Sequence, residues 1–458
     1  MKLKIFLIIV LLIFTFGCSK QYKFEDGKIV GIQTIQDLNK ASVFTFGIMS
    51  DNKGDSPQNS EQFARMVKWL EKSNAQFVIG LGDHVKKGWE NSFLEFLKQN
   101  QWWKNHFYPN IADGENEYYG KSQSDWGAGA PLLDVVNLSE KSNVKIRKNG
   151  CEYYAKIPAK GYTIHLIQLH YPDSPPIDSI AFRENSKEYM MKTLNSINKG
   201  DKDIIIVAAH SRTGSWVQML SDEQKKMVLE KADLILSATT HFCERFEYEG
   251  YKDIGALCIN TGSITYPTYW CPFGYVQANV LKNPLALVVQ YINAGKNEIE
   301  FQNTDYAFIK IVTGEILKTD FRPKRYEENV DRIIGVSEKD YSKEEMNKIL
   351  KELYLNATGA DEAFASAYNG LPKGDVKYRE LWNICPYNDE IYSITFTDEQ
   401  VKSLFKNQIP LKGRKEIEIA MDSYHGKNYI HKLRLDESNY KKTGKHEVQI
   451  LEEWIIHH

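Results

Sequence analysis

Short apolar runs alternate with amphipathic stretches over the first two thirds of the chain. The runs at 43–49 (VFTFGIM) and 76–81 (QFVIGL) have the length and composition of buried strands. Between them, apolar residues recur at helical spacing, as Phe63, Met66 and Leu70 do. A strand, a helix and a second strand with short connections predict a βαβ unit.

The same alternation continues further along the chain. Strands are predicted at 162–170, 204–209, 234–237 and 256–261, and helices at 186–197 and 221–232. A hairpin that turns at Thr313-Gly314 is predicted over 306–321, where it could close a sheet edge. The charged stretch 322–342 lacks strand character and predicts a linker. We therefore expect a layered α/β sandwich domain over 41–321 and a smaller α+β domain over 343–458.

The first residues follow a different pattern. Lysines precede an apolar run over 5–16, and Gly17 and Cys18 follow it. This is the pattern of a signal peptide, and the run is shorter than the roughly 20 residues of a transmembrane helix. A small residue before Cys18 resembles the bacterial lipobox, in which the cysteine is lipidated. We expect a lipoprotein signal peptide over 1–18, a polar tether over 19–40, and export to the periplasm or cell surface. Plain cleavage near Cys18 is the alternative.

The charge balance limits the partners of the protein. The chain has 458 residues, with 58 Lys and Arg against 60 Asp and Glu, a formal net charge of −2. No overall field would attract nucleic acid or an anionic membrane surface, so a phosphate site must be built locally. We expect no nucleic-acid partner and membrane contact only through the N-terminal lipid. The sequence leaves the oligomeric state open.

Five side chains of metal-ligand type follow successive predicted strands. They are Asp51, Asp83, Glu115, His210 and His241. Because ligands gather where strands of an α/β sheet end, we expect these side chains to converge. Singly, each has a simpler interpretation, since an aspartate after a strand is often a turn or cap residue. Their order along the chain favours a shared metal site.

The sequence around these residues resembles the five blocks of the calcineurin-like metallophosphoesterases. The matching positions are Asp51, Gly82-Asp83, Gly114-Glu115-Asn116-Glu117, His210, and His241 followed by Glu244-Arg245. In that family, two divalent ions share a bridging aspartate and activate water for attack on phosphorus. The resemblance implies that Asp83 bridges. Asp51 and His241 would complete one metal position, and the other would take Glu115 and His210. Mn, Zn, Fe, Mg and Ca are not distinguished.

The chain departs from the family pattern at three positions. Lys53 stands where the family usually has His, Asn116 replaces an acid/base-type His, and Thr239 replaces the first His of the last block. Lys53 could repel a metal ion held by Asp51, or hold a substrate phosphate as a point charge. Asn116 cannot exchange a proton, so His84 is the nearest candidate acid by sequence. A hydrogen-bonded structural histidine is the alternative for His84.

The last third of the chain resembles the C-terminal domain of 5'-nucleotidases. The resemblance covers 356–405, with ATGADEAFASA, VKYRELWNICPYND and ITFTDEQVKSLF, and continues in IEIAMDSYHGKNY. In those enzymes this domain stacks the nucleoside base on aromatic rings, which implies Tyr387 and Tyr429 as base contacts here. The Gly-Gly and Arg residues expected after ASAYN are missing, so an arginine clamp on phosphate is not expected.

These observations predict an exported lipoprotein that hydrolyses phosphate esters with two divalent ions. Its substrate would be small and phosphorylated, with nucleotides as the first candidates. The alternative is a degenerate phosphoesterase that binds a nucleotide or phosphate without catalysis, which Lys53, Asn116 and Thr239 favour. The sequence does not separate monoesters from diesters.

Overall fold

A computed structural model describes most of the chain. It covers residues 22, 24–25, 28–52, 54–85, 92–112, 131–147, 152–170, 179–210, 217, 220–239, 243–246, 256–260, 274–282, 285–294, 306–310, 315–318, 332–405, 409, 413–436 and 439–457. These residues form two compact units, the first ending at the described residues 315–318 and the second beginning at 332. Among them, no helix combines the length and the apolar character that crossing a membrane requires.

The first unit contains strands β1 to β16 and helices α1 to α7. The strands are β1 (Phe24–Glu25), β2 (Lys28–Ile29), β3 (Phe44–Met49), β4 (Ala75–Gly80), β5 (Phe107–Tyr108), β6 (Val144–Ile146), β7 (Tyr153–Ala159), β8 (Tyr162–Leu169), β9 (Asp203–Ala209), β10 (Leu234–Ser237), β11 (Glu244–Phe246), β12 (Leu257–Asn260), β13 (Gly274–Leu281), β14 (Ala286–Asn293), β15 (Tyr306–Lys310) and β16 (Glu315–Lys318). The helices are α1 (Ile35–Ala41), α2 (Glu61–Ser73), α3 (Ser92–Gln99), α4 (Gln101–His106), α5 (Pro131–Val135), α6 (Ser179–Ser196) and α7 (Asp222–Lys231), and Leu138–Glu140 forms a 3-10 turn.

Two seven-stranded sheets form the core of this unit. Sheet I has the order β16-β15-β14-β13-β3-β4-β5, and sheet II has the order β11-β12-β10-β9-β8-β7-β6. Neighbouring strands are parallel from β3 to β5 in sheet I and from β8 to β12 in sheet II. The sheets pack face to face, with the rings of Phe44 and Tyr162 5.9 Å apart. The predicted layered α/β sandwich is confirmed.

The predicted βαβ unit is β3, α2 and β4. Every residue of β3 is buried, as expected of a central strand. The side chain of Ser60 caps α2 by accepting from the Phe63 backbone N–H, and the helix buries Phe63, Met66 and Leu70 against the sheet. A Cβ on Gly47 would lie 2.8 Å from the Leu70 side chain, so the helix lies close to β3.

The stretch 19–40, predicted as a tether, contains regular structure. Within 19–40, a two-stranded hairpin precedes α1, which begins with a capping box at Thr34. Four apolar side chains here are buried. They are Ile29, Ile32, Ile35 and Leu38. Burying them removes apolar surface from water, so this segment belongs to the folded unit.

The second unit has α+β architecture. Its strands are β17 (Ile333–Ser337), β18 (Glu362–Ala363), β19 (Gly374–Lys377), β20 (Glu390–Thr397), β21 (Glu416–Asp422) and β22 (Tyr440–His446), and its helices are α8 (Lys343–Thr358), α9 (Tyr378–Ile384), α10 (Asp398–Phe405), α11 (Ser423–Leu433) and α12 (Glu447–His457). A four-stranded sheet has the order β18-β21-β20-β22, and β17 pairs with β19. Strand β17 lies inside the stretch 322–342 that the sequence predicted as a linker.

Candidate metal centre

Three of the five predicted ligands meet at one edge of the sandwich. Asp51 and Asp83 follow the parallel strands β3 and β4 of sheet I, and His210 follows β9 of sheet II. One ligand-type atom from each lies within 4.8 Å of the other two, and all three residues are buried. The Nε2 atom of His210 lies 3.8 Å from Asp83 Oδ2. Two atoms that share one cation can be this far apart, because each lies about 2 Å from the ion.

The backbone at this edge adopts a conformation that few residues take. Asp51 (φ 53°), Asp83 (φ 54°) and Thr239 (φ 72°) lie in the left-handed region. Each such non-glycine residue costs on the order of 1–3 kcal/mol and persists only where the surrounding structure holds it. Such residues cluster at functional sites, and here they cluster around the three side chains.

Hydrogen bonds from both sheets hold the turn from Gly80 to Asp83. The carbonyl oxygen of Gly80 accepts from the Asn110 backbone N–H at 2.8 Å and from Gln168 Nε2 at 3.1 Å. The Leu81 N–H donates to the carbonyl oxygen of Met49 at 2.9 Å. Asp83 is therefore presented on a turn whose backbone is tied to strands on either side.

Gly82 is required at its position in this turn. Its φ of +103° is a conformation that side chains disfavour, and a Cβ there would lie 2.6 Å from the Ala112 Cβ and 2.9 Å from His210 Nδ1. Its carbonyl oxygen accepts from the Asp51 N–H at 3.1 Å, which joins the two aspartate-bearing turns. The imidazole of His210 thus occupies space that any other residue at Gly82 would fill.

The tautomer of His210 suits a metal ligand. Its Nδ1 lies 2.8 Å from the carbonyl oxygen of Leu81, which can only accept, so Nδ1 carries the proton. In the neutral ring, Nε2 then presents a lone pair on the side of Asp83. Metal-bound histidines commonly donate the N–H of the ring nitrogen that does not bind the metal to a carbonyl or carboxylate oxygen. Two carboxylates and an imidazole fit a divalent cation such as Mn²⁺, Zn²⁺ or Fe²⁺.

Thr239 supports His210 instead of supplying an imidazole. Its hydroxyl donates to the His210 carbonyl oxygen at 3.0 Å, and the backbone N–H of Ala238 donates to the same oxygen at 3.0 Å. The end of β10 therefore stabilises the backbone that carries the ligand.

His84 has a structural environment. It is fully buried, with its ring 5.6 Å from that of Phe93 and 5.2 Å from that of Phe107. Its Nε2 accepts from the Gly82 N–H at 3.0 Å, and its Nδ1 lies 2.6 Å from Asn52 Oδ1. Because both ring nitrogens bond within the protein, this environment favours the structural alternative over proton transfer to a substrate.

Sequence reasoning missed His170, which lies beside His210. The strands β8 and β9 are parallel with Leu169 opposite Ala209, so the two histidines follow paired residues. The Nδ1 atom of His170 donates to the carbonyl oxygen of Ile111 at 2.7 Å. Burial lowers the pKa of His170 to about 3, so its ring is neutral. A histidine at a predicted strand end is the same signal that identified His210.

The remaining predicted site residues fall into two groups. Lys53, Glu115, Asn116 and His241 lie outside the described residues. Tyr387 and Tyr429 lie in the second unit. The Tyr387 ring meets that of Tyr368 edge-on at 5.5 Å, and the Tyr429 ring lies 5.1 Å from that of Phe405 beside an apolar cluster of that unit.

No protein-family model and no curated protein matches the sequence. Solved structures do match. A 5'-nucleotidase from Candida albicans SC5314 is 12% identical, with 91% of this chain and 98% of that one covered, at a TM-score of 0.36. The GAP50 anchor of the inner membrane complex of Plasmodium is 14% identical, with 61% and 91% covered, at 0.41. A purple acid phosphatase from yellow lupin seeds is 14% identical, with 56% and 52% covered, at 0.36.

The matched structures include 5'-nucleotidases, whose C-terminal domain the last third of the sequence resembles, and a purple acid phosphatase. Their TM-scores lie below 0.5, so the architecture of this chain rests on its own sheet topology.

Proposed function

We propose that the protein is a metal-dependent hydrolase of phosphate esters that acts on a small phosphorylated substrate, with nucleotides as the first class to test. The observation that supports this is the group formed by Asp51, Asp83 and His210, buried and within 4.8 Å of one another. When bound there, a divalent cation would polarise a phosphoryl oxygen and lower the pKa of a coordinated water.

The residues of the chain have distinct parts in this proposal. Asp83 would bridge two ions, as the family resemblance implies, and its Oδ2 lies 3.8 Å from His210 Nε2. Glu115 and His241 would complete two metal positions. Three carboxylates against two divalent ions would leave the site net positive, and such a site would attract a phosphate.

Substrate contacts complete the proposal. Lys53 would hold the phosphate as a point charge. Asn116 would hydrogen-bond to the substrate without exchanging a proton. Tyr387 and Tyr429 would contact a nucleobase by ring stacking, if the substrate is a nucleotide.

The proposal includes export and membrane attachment. The apolar run over 5–16 and the Gly17-Cys18 pair favour cleavage before Cys18 and lipidation of its thiol. The enzyme would then act in the periplasm or at the cell surface, held to the membrane by lipid. Mass spectrometry of the membrane-extracted protein tests this, because lipidation adds acyl mass to the peptide that begins at Cys18.

A non-catalytic phosphate- or nucleotide-binding protein is the second candidate. Thr239 favours it, because it stands where the resembled family has a histidine. Its hydroxyl donates a hydrogen bond to the His210 carbonyl oxygen. Lys53 favours it because its ammonium could repel a metal ion held by Asp51. Asn116 favours it because an amide cannot exchange a proton. This protein would bind divalent ions and phosphate but would not turn over esters.

Metal analysis and turnover together test the proposal. The purified wild-type chain is expected to bind divalent ions and to hydrolyse a nucleotide or a chromogenic phosphate ester. Asp83→Asn should remove both properties, since the amide keeps the shape but loses the charge. Asp222→Asn is the matched control, because the Asp222 side chain is 99% exposed and lies on α7. Ion binding without turnover would support the second candidate, and wild-type turnover in Asp83→Asn would contradict both.

A further inference from the structure

His84 joins the two turns that carry Asp51 and Asp83. Its Nε2 accepts the Gly82 N–H at 3.0 Å, directly before Asp83 in the chain. Its Nδ1 lies 2.6 Å from the side-chain oxygen of Asn52, directly after Asp51. One imidazole therefore spans from the turn after β4 to the turn after β3.

The hydrogen bonds fix the orientation of both side chains. Because Nε2 of His84 accepts an N–H, Nδ1 must carry the ring proton and donate it to Asn52 Oδ1. The amide nitrogen of Asn52 donates to two carbonyl oxygens, those of Asp55 at 2.9 Å and His84 at 3.3 Å. The Asn52 oxygen is therefore the atom that faces the ring, and the amide cannot be flipped without losing these bonds.

The backbone adds a second tie between the turns. The N–H of Gly54 donates to the His84 carbonyl oxygen at 2.9 Å, and the N–H of Asp51 donates to the Gly82 carbonyl oxygen at 3.1 Å. His84 and Asn52 are both fully buried, so water does not compete for these bonds.

We propose that His84 is a positioning residue that sets the distance between the Asp51 and Asp83 carboxylates and thereby the affinity for divalent ions. This inference rests on the proposed function, because it concerns the same metal site. Both aspartates sit in the left-handed region, a conformation that persists where the surrounding structure restrains it. The ring acts through its hydrogen bonds to the Gly82 N–H and to Asn52 Oδ1, and it transfers no proton to the substrate.

The substitution His84→Phe tests this role. Phenylalanine keeps an aromatic ring beside Phe93 and Phe107 and removes both side-chain hydrogen bonds. We expect the Kd for Mn²⁺, measured by calorimetric titration, to rise about 10–100-fold, the usual loss when a residue that orients a ligand is changed. Asn52→Ala should raise it similarly. The double variant should lose less affinity than the two single losses combined, because the two residues share one hydrogen bond.

A control separates positioning from general stability. Phe77→Leu changes a buried ring that stacks on Phe46 at 4.8 Å in the same sheet. It should lower the Tm of the metal-free protein and leave the Mn²⁺ affinity unchanged. An unchanged Mn²⁺ affinity in His84→Phe would overturn the inference. If only the Tm fell, His84 would have a general structural role. If only kcat fell, His84 would be a proton donor. Absence of Mn²⁺ binding in the wild-type chain would instead refute the proposed function, and this inference with it.

Discussion

The Nδ1 atom of His210 donates to the carbonyl oxygen of Leu81 over 2.8 Å, so a histidine from sheet II is oriented by a turn of sheet I. The two sheets therefore assemble the site together, and neither contains it alone. This dependence on close contact between two turns leads to the first prediction.

Gly82→Ala should destabilise the first unit and weaken metal binding. The added methyl carbon would meet the Ala112 Cβ and His210 Nδ1, both under 3.0 Å, in addition to the cost of its positive φ. Gly161→Ala is the matched control, since Gly161 also has a positive φ (84°) but faces open space. We expect about 1 kcal/mol of lost unfolding free energy for the control and at least about 1 kcal/mol more for Gly82→Ala. Equal losses in urea denaturation would show that the His210 contact has no effect.

Truncation tests where the folded part begins. Removal of 19–27 should change the Tm only slightly, because it takes the two-residue strand β1, whereas removal of 19–41 should lower it by several degrees. The longer deletion removes α1 and exposes the sheet surface beneath Ile35 and Leu38. It also removes Asn39, whose side-chain oxygen accepts from Gln277 and Asn279 at 2.9 Å. These two buried amides would lose a hydrogen-bond partner, which lowers the free energy of unfolding. Equal Tm values for the two truncations would show that 28–41 is only a tether.

The second unit should lose stability as pH rises. Burial, together with Asp422 and Asp389, raises the pKa of Glu447 to about 8 from an ordinary value of 4.5. A carboxyl group with a raised native pKa binds more protons when folded. Its stabilising contribution is complete below about 4.5 and is lost as pH rises toward 8, at up to about 1.4 kcal/mol per pH unit.

Glu447→Gln isolates this effect. The amide oxygen can still accept from the Tyr354 hydroxyl, which bonds Glu447 in the structure. Unfolding free energies measured from pH 5 to pH 8 should fall less steeply in the variant than in the wild-type chain. Parallel curves would exclude Glu447 as the source of the pH dependence.

The sequence alone was sufficient to predict site residues where their side chains directly follow apolar runs. Asp51, Asp83 and His210 each end a run that becomes a buried parallel strand, so their meeting could be expected from strand order. His170 carries the same signal. It lies outside the five blocks of the family resemblance, which therefore does not identify it.

Other elements were hidden by polar residues that are satisfied only in the folded state. Strands β13 and β14 contain Gln277, Asn279 and Gln290, which interrupt the apolar pattern. These amides are buried and hydrogen-bonded to one another. Within β13, Gln277 Nε2 donates to Asn279 Oδ1 at 2.9 Å, and Gln290 Nε2 donates to the same oxygen from β14 at 3.2 Å. Strand β17 was hidden differently, since Ile333 and Val336 are exposed and its partner β19 lies far along the chain. No local pattern reveals such pairings.

Anomalous scattering from crystals soaked in manganese tests the central claim most directly. The account predicts a manganese peak within about 2.0–2.4 Å of side-chain atoms of Asp51, Asp83 and His210. Asp222→Asn crystals should show the same peak, and Asp83→Asn crystals should lose it. A map with no manganese between these three side chains at saturating concentration would contradict the account.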